Sequence, residues 1–239
     1  MNRMLATITA LGLVTVAAAL AGDATAIATS SNGGSASATA TAIGNSSALA
    51  IAGATRGGRA VANSTAIGTG NAYADSRAVA TADRGLAVSN SLADARGLYG
   101  GSAIAESESI AAAIGGRAIS NSSAVADSIF YGHARSRSTS TALSNWGSAV
   151  SNSRANSRGL WGGRAASASD SSAITFGGHA SSTTVVASDA RYFARAKANG
   201  VGVSSSGLLL NANSRVRAES RAMHGADSDA NVVGIEIRP

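Results

Sequence analysis

Small and larger apolar residues alternate along most of the chain with an even period. Pairs made of one small and one larger apolar residue return at multiples of six positions, as in Ala42-Ile43, Ala48-Leu49, Ala60-Val61 and Ala66-Ile67. A period of six does not fit the 3.6-residue turn of a helix, but it returns to the same face of a strand because six is even. The pattern therefore predicts an all-β chain.

Turn-forming residues lie between these apolar pairs. Asn-Ser and Gly-Gly steps recur through the chain, and both Asn and Gly tolerate the left-handed backbone that corners require. Short strands separated by corners are typical of a parallel β-solenoid or β-roll built from six-residue repeats. Two or three repeats would make a coil of about 12 or 18 residues, which gives a rod roughly 80 or 50 Å long.

A longer repeat lies above the six-residue one. The segments 88–104 (VSNSLADARGLYGGSAI) and 150–166 (VSNSRANSRGLWGGRAA) are identical at eleven of seventeen positions, with Val88 aligned to Val150. A tandem duplication of about 62 residues is the mark of a repeat architecture.

Both faces of each predicted strand are apolar. In Ala48-Leu49-Ala50 the two alanines face one way and the leucine faces the other. One face fills a narrow interior, so the other meets water or a partner, and a regular apolar row on a surface marks an interface. The pattern predicts a homo-oligomer.

The chain divides into three parts. A basic start and an apolar run through Ala21, with small-residue cleavage points after Ala21 and Ala26, predict a secretory signal peptide over residues 1–26. The solenoid is expected over residues 27–190. Degenerate repeats and a C-terminal capping strand are expected over 191–239. We therefore expect a secreted, extracellular or cell-surface protein with no membrane span in its mature chain.

Composition narrows the classes of partner. The net charge is +6, but the arginines are spread singly and aromatic residues are 4% of the chain. Nucleic-acid binding needs a basic cluster with aromatic residues among it, so no nucleic-acid partner is expected. The chain contains no cysteine, which excludes disulfides and thiolate metal sites.

The segment 64–80 (STAIGTGNAYADSRAVA) resembles the head repeats of trimeric autotransporter adhesins. Thr65-Ala66-Ile67-Gly68 and Ser47-Ala48-Leu49-Ala50 carry the resemblance best. It implies a left-handed parallel β-roll, three chains side by side, and adhesion at a bacterial surface. The stalk and membrane anchor of that family are not expected here, so we expect a secreted or separately anchored fibre subunit.

Two alternatives remain open. Thr39-Ala40-Thr41 and Thr139-Ser140-Thr141 suggest the threonine rows of an ice-binding solenoid, although threonine does not return at a fixed repeat position. The six-residue rule also resembles hexapeptide acyltransferases. In that family the fourth position after the aliphatic residue is small and faces inward, whereas this chain has Arg77, Arg96 and Glu108 there, and a buried unpaired charge is costly.

No motif of catalytic, cofactor-binding or metal-binding chemistry is present, and we expect a non-enzymatic protein without cofactors. His133, His179 and His224 are far apart in sequence. Tyr99 and Trp161 occupy equivalent places in the long repeat. They are candidates for an interface or for stacking on a surface ligand such as a polysaccharide, or they fill a corner.

Overall fold

The computed structural model describes residues 4–9, 13–20, 22–31, 33–70, 72–97, 102–130, 133–161, 164–191, 195–206, 211–223 and 227–237. These residues form fifteen strands and no helix, so the predicted all-β class is confirmed. The strands are β1 Met4–Thr9, β2 Leu13–Leu20, β3 Ala24–Ser30, β4 Ser35–Ile43, β5 Ser46–Ala54, β6 Arg59–Gly70, β7 Ala72–Asp83, β8 Leu86–Gly97, β9 Ser102–Ile114, β10 Arg117–Ile129, β11 His133–Leu160, β12 Arg164–Arg191, β13 Arg195–Ser206, β14 Ala212–Met223 and β15 Asp227–Ile237.

The strands pair in parallel with the strand of the next coil, which makes a solenoid with two sheets. Strand β7 pairs with β5 and β9, whereas β8 pairs with β6 and β10. Strands β11 and β12 turn a corner and contribute to both sheets. The front sheet holds β1, β3, β5, β7, β9, residues 133–144, residues 164–175, β13 and β15; the back sheet holds β2, β4, β6, β8, β10, residues 148–160, residues 180–191 and β14.

One turn of the regular solenoid takes 31 residues, which is the separation of the bonded side chains of Asn90 and Asn121 in neighbouring turns. An earlier turn is shorter, since Ser47 Oγ donates to Asp23 Oδ1 across a separation of 24 residues. The prediction of 12 or 18 residues per coil is therefore wrong, because the six-residue repeat recurs inside one strand, such as the 12 residues of β7, instead of marking a corner. Nine strands stacked about 4.8 Å apart give a length of roughly 40 Å, below the expected rod.

The long sequence duplication corresponds to two turns. Val88 of β8 pairs with Ile119 of β10, which pairs with Val150 of β11. All three residues begin the same local sequence, an aliphatic residue followed by Ser-Asn-Ser. The structural repeat is therefore half the length of the clearest sequence repeat.

The interior between the two sheets is filled by small residues. Ala87, Ala93, Ala118 and Ala124 are fully buried, while the larger apolar residues beside them face outward. The predicted separation of alanine and aliphatic faces is confirmed. The side chains of Ala and Ser let the sheets approach closely, so the core depends on close packing of small groups rather than on large apolar side chains.

Two columns of serines cross this interior along the solenoid axis. Ser107 Oγ donates to Ser91 O at 2.9 Å, and Ser122 Oγ donates to Ser107 O at 2.7 Å. These bonds join the front and back sheets and satisfy hydroxyl groups that would be costly to bury alone. One column holds Ser76, Ser91, Ser107, Ser122, Ser138, Ser153 and Ser169, and the other holds Ser89, Ser109, Ser120, Ser140, Ser151, Ser171 and Ser182.

The chain passes from the front to the back sheet at a corner that we call the glycine corner. It contains one glycine per turn with its Cα packed against the turn before: Gly58, Gly85, Gly116, Gly147 and Gly178. The amide of Arg117 donates to Gly85 O at 2.9 Å, which joins successive turns here. The Gly-Gly steps at Gly57, Gly115 and Gly177 were correctly expected to form corners.

Of the Asn-Ser steps expected at corners, Asn45 does lie in the bend between β4 and β5, but the others lie within strands. Asn63, Asn90, Asn121 and Asn152 lie in the middle of back-sheet strands and point outward. The amides of Asn90, Asn121 and Asn152 each donate to the asparagine one turn before, at 2.8 Å from Asn90 Nδ2 to Asn63 Oδ1. This asparagine ladder compensates for the low strand propensity of Asn, because each residue gains an amide–amide bond.

The ends of the chain also contain strands. β1 and β2 lie in the segment expected to be a signal peptide and pair with β3 and β4. Cleavage after Ala21 or Ala26 stays a prediction. The expected capping segment forms β15, which pairs with β13 and is exposed along its whole length.

Candidate interaction surface

Outward side chains of the front sheet form rows along the solenoid axis. Strands pair in register, so residues one turn apart occupy the same row. Rows near the glycine corner are mostly apolar, whereas rows nearer the opposite corner carry most of the charges. This division into two strips makes the front sheet the candidate interaction surface.

The apolar stripe consists of Ile114, Leu143, Ile174 and Phe176. These side chains are exposed by 60%, 39%, 43% and 54% respectively. They line a groove of about 550 Å³ that runs across several turns. A contiguous exposed stripe of large apolar groups on a soluble surface marks an interaction site.

Trp146 extends the apolar stripe at the glycine corner. Its ring packs edge-on against Phe176, with 5.6 Å between the centroids, and it is 56% exposed. A Cβ at Gly177, the residue paired with Trp146, would overlap the indole ring. The glycine therefore leaves room for a large aromatic group that still faces water.

The charged strip changes sign along the axis. Asp75, Glu106 and Glu108 lie on β7 and β9, whereas Arg135 and Arg137 lie on the next strand, β11. Further cations continue in the same direction, namely Arg164, Arg195 and Lys197. The front sheet is thus mainly acidic on β7 and β9 and mainly basic from β11 to β13, except for Arg77 and Asp170, and β15 beyond them carries Asp227 and Asp229.

Ion pairs within the chain link these charges. Arg77 Nε lies 2.6 Å from Glu108 Oε2, and Arg137 Nη1 lies 3.9 Å from Glu106 Oε1. Burial raises the pKa of Asp75, and the nearby Glu106 and Glu108 raise it further, while Arg77 opposes the shift. Burial also raises the pKa of Asp170, against the effect of Arg137. Burial is therefore the main cause of both shifts.

The back sheet has a different surface. The asparagine ladder borders a groove of about 490 Å³, whose other wall includes Leu92, Ser123 and Arg154. Nearer the corner opposite the glycines, Arg96, Asp127, Arg158, Asp189 and Arg221 alternate in charge along one row. Alternating charges neutralise one another within the chain. Unlike the front sheet, this row therefore has no region in which one sign of charge dominates.

The corner opposite the glycines carries aromatic residues, and we call it the aromatic corner. Trp161 is 47% exposed and stacks on Phe130 with 6.3 Å between the centroids and 18° between the planes. Tyr99, predicted as its counterpart, lies outside the described residues. Sequence reasoning missed Phe130, although Tyr99, Phe130 and Trp161 follow one another at the spacing of one turn. Because the rings face each other, a sugar ring would have to displace this stack to lie between them.

The residues considered for chemistry remain dispersed. His133 lies on the front sheet and His179 begins the back-sheet part of β12, while His224 lies outside the described residues. Among the residues that the structure describes, no three His, Cys, Asp or Glu side chains lie close enough to hold a metal ion. In the same described part, no helix is long and apolar enough to cross a membrane.

No protein-family model, curated protein or solved structure matches this chain. The parallel β-solenoid is evident from the strand register alone. The features that bear on function are therefore the two surfaces and the two corners of the solenoid.

Proposed function

We propose that this chain is a structural or adhesive extracellular protein whose solenoids assemble with one another. The observation that supports this most is the distribution of side-chain size. Alanine and serine fill the interior, while Ile114, Phe176 and Trp146 are more than half exposed. Covering apolar surface gains about 25 cal/mol per Å², so a second surface on this stripe stabilises the pair.

Adhesion at a bacterial surface is the finer part of the proposal. The resemblance of residues 64–80 to adhesin head repeats supports it, and that segment spans the end of β6 and most of β7. Its alanines, including Ala66, Ala74 and Ala78, face the interior. Export through the leader at residues 1–26 would bring such a subunit to the outside of the cell, where trimers or fibres form.

The two alternatives find less support. An ice-binding surface needs one long row of threonines. The row that contains Thr41 and Thr65 continues with Leu92 in the next turn, so it is not such a row. Arg77 and Arg96 face outward, so a charged residue at that position does not enter the core. These charges therefore do not argue against an acyltransferase, but no feature of the front or back sheet favours one.

Light scattering after size-exclusion chromatography tests the assembly directly. We expect the mature protein to be larger than a monomer and Leu143→Ser combined with Phe176→Ser to reduce its mass. Leu92→Ser on the back sheet is the matched control, because Leu92 and Leu143 are exposed by 40% and 39%. A wild-type monomer at all concentrations would refute assembly.

A second experiment addresses export. Expression of the full chain in a bacterial host followed by mass spectrometry of the culture fluid identifies the mature N-terminus. We expect cleavage after Ala21 or Ala26. An intact Met1 in a purely cytoplasmic product would contradict the extracellular part of the proposal.

A further inference from the structure

The apolar stripe and the charged strip together make the front sheet complementary to the front sheet of a second copy. The apolar stripe lies at one end of the strands and the charged strip at the other. The charged strip changes sign between β9 and β11, which lie near the middle of the sheet. A surface with these properties can match a copy of itself in one orientation.

Consider a two-fold axis in the plane of the interface, parallel to the strands and between β9 and β11. This operation preserves a residue's position along its strand and reverses the order of the strands. The rows that hold the apolar stripe then face the same rows of the other copy, with Leu143 opposite Ala112 and Ile174 opposite Thr81. The mainly acidic strands β7 and β9 of one copy face the mainly basic strands β11 and β12 of the other. An interface of this kind is isologous, so every contact occurs twice.

Specific pairs follow from the strand register. Glu106 and Arg137 share one row on β9 and β11, so each faces the other across the axis. Arg77 on β7 and Asp170 on β12 share the next outward row, and the same axis pairs them as well. Two independent opposite-charge pairs therefore agree on the position of one axis.

The remaining charges of these four strands meet uncharged residues, and Asp83, in the row of Ile114 at the glycine-corner end of β7, is brought against Phe176 of the other copy. Glu108 faces Thr139, Arg135 faces Ile104, and Asp75 faces Ala168 of the other copy. Among the described residues, no two charges of like sign are brought opposite each other. Asp75 also lies two residues from Arg77, beside the Arg77–Asp170 contact.

We propose that two copies of this chain pair through their front sheets with antiparallel solenoid axes, about a two-fold axis between β9 and β11. The inference rests on the proposed self-assembly and specifies its surface and symmetry. It predicts dimers, or fibres built from dimers, in place of the trimers that the adhesin resemblance implies.

The alternative orientation is less favourable. A two-fold axis parallel to the solenoid axis would reverse positions along the strands. The apolar stripe would then cover the charged strip, and Glu106, Glu108 and Arg137 would lose water and gain no partner beyond the ion pairs within their own chain. Removing even paired charges from water is costly.

The available area is sufficient. Seven strands about 4.8 Å apart and about 12 residues long present a face of roughly 1,000 Å². A stable interface of standard size buries about 800 Å² on each partner. The central strands alone therefore provide the area that a specific dimer requires.

Charge exchange between Arg77 and Asp170 tests the axis. In Arg77→Asp, each copy places an aspartate opposite Asp170 of the other; in Asp170→Arg, arginine faces Arg77. We expect each variant to raise the dimer dissociation constant by about tenfold or more, because like charges meet twice. Mixing the two variants restores both opposite-charge contacts, so the mixture is expected to form a heterodimer with near wild-type affinity.

Analytical ultracentrifugation of each variant and of the mixture, with circular dichroism as a check of folding, gives the readout. Arg154→Asp on the back sheet is the control with the same charge change, and it should not alter the mass. Weakened single variants that the mixture does not rescue would overturn the antiparallel axis. Unchanged single variants that remain multimeric would overturn the front-sheet pairing but leave self-assembly intact. A monomeric wild type would refute both.

A second pair of variants applies if Arg77→Asp fails to fold, since it loses its ion pair with Glu108. Glu106→Arg combined with Arg137→Glu keeps the internal pair with its charges exchanged. This double variant should assemble with itself but not with the wild-type chain, because like charges would meet in the mixed dimer. Free mixing of the two, detected with a labelled chain, would overturn the proposal.

Discussion

Successive turns of the solenoid make contact through backbone atoms at one corner and through side chains at the other. At the glycine corner, a Cβ on Gly85, Gly116 or Gly147 would lie less than 3.0 Å from the carbonyl oxygen of the glycine one turn before. At the aromatic corner, Phe130 and Trp161 have large rings that stack at the surface. The first corner is defined by backbone contact and admits no side chain at these glycines. The second is defined by side-chain contact, and its substitutions should therefore be graded by size.

The glycine corner should be the most sensitive part of the chain. Gly116→Ala forces its new methyl group into Gly85 O, which accepts the bond from the Arg117 amide. We expect the free energy of unfolding to fall by about 3 kcal/mol or more, since neither backbone can move without breaking the ladder. Chemical denaturation measures this. Gly53→Ala is the control, because its Cβ would make ordinary contacts with Thr81 Oγ1 at 3.5 Å and Thr29 Cγ2 at 4.0 Å. An equal loss in both variants would contradict this account.

Substitutions at the aromatic corner should lower the free energy of unfolding by less than those at the glycine corner. Trp161→Ala removes a half-exposed ring and its stack on Phe130, which we expect to cost about 1–2 kcal/mol. Trp161→Phe should retain most of that stability because it keeps a ring at the same place. A double-mutant cycle of Trp161→Ala and Phe130→Ala should give a coupling of about 0.5–1.5 kcal/mol. Strict additivity would mean that the two rings do not stabilise each other.

At the glycine corner, steric overlap and left-handed backbone conformation can be separated by a substitution with a smaller effect on stability. Gly115 precedes Gly116 and has a left-handed backbone with φ of 68°, but its Cβ would have open space, with Arg84 Cγ at 3.7 Å. Gly115→Ala should therefore cost only about 1 kcal/mol, which is the penalty of the left-handed conformation. Arg84, one turn earlier, has φ of 51° without being glycine, so that conformation is tolerated there. Thermal unfolding of Gly115→Ala beside Gly116→Ala distinguishes conformational strain from overlap.

Local features of the fold could be predicted from sequence because strand alternation depends only on neighbouring residues. The even period correctly placed Ala48 inside and Leu49 outside. The length of a turn depends on which turn-forming residues bend the chain. That is decided by contacts with neighbouring turns, which lie far away in sequence. A repeat of one turn was nevertheless visible in the Ser-Asn-Ser sequences after Val88, Ile119 and Val150.

The candidate surface was harder to predict than the fold. Sequence reasoning identified Trp161 but not Phe130, because successive turns resemble each other less in sequence than alternate turns do. Arg77 and Asp170 lie three turns apart, so their common row appears only when three successive registers are known. An outward apolar face was predicted, but its concentration beside the glycine corner depends on the same registers.

The smallest predicted effect lies beside the aromatic corner, at Asp127 on the back sheet. Burial raises the pKa of Asp127, and Asp94 adds to the shift, while Arg158 and Arg96 oppose it. The folded chain therefore binds this proton more readily than the unfolded chain does, so its contribution to stability falls as pH rises from about 4 through the raised pKa. Asp127→Asn removes that cost and should stabilise the chain by about a few tenths of a kcal/mol near pH 7, since the side chain is partly exposed and paired.

The pH dependence of this variant distinguishes the cause. Its advantage over wild type should disappear below about pH 3, where the aspartate is protonated in both states. Asp94→Asn is the control, because Asp94 accepts two hydrogen bonds from Arg96, at 3.0 and 3.4 Å, and its loss should destabilise slightly. Paired thermal unfolding at pH 3 and pH 7 measures both. A stabilisation by Asp127→Asn that is equal at the two pH values would show that burial of the charge is not responsible, and that shape at the aromatic corner governs this position instead.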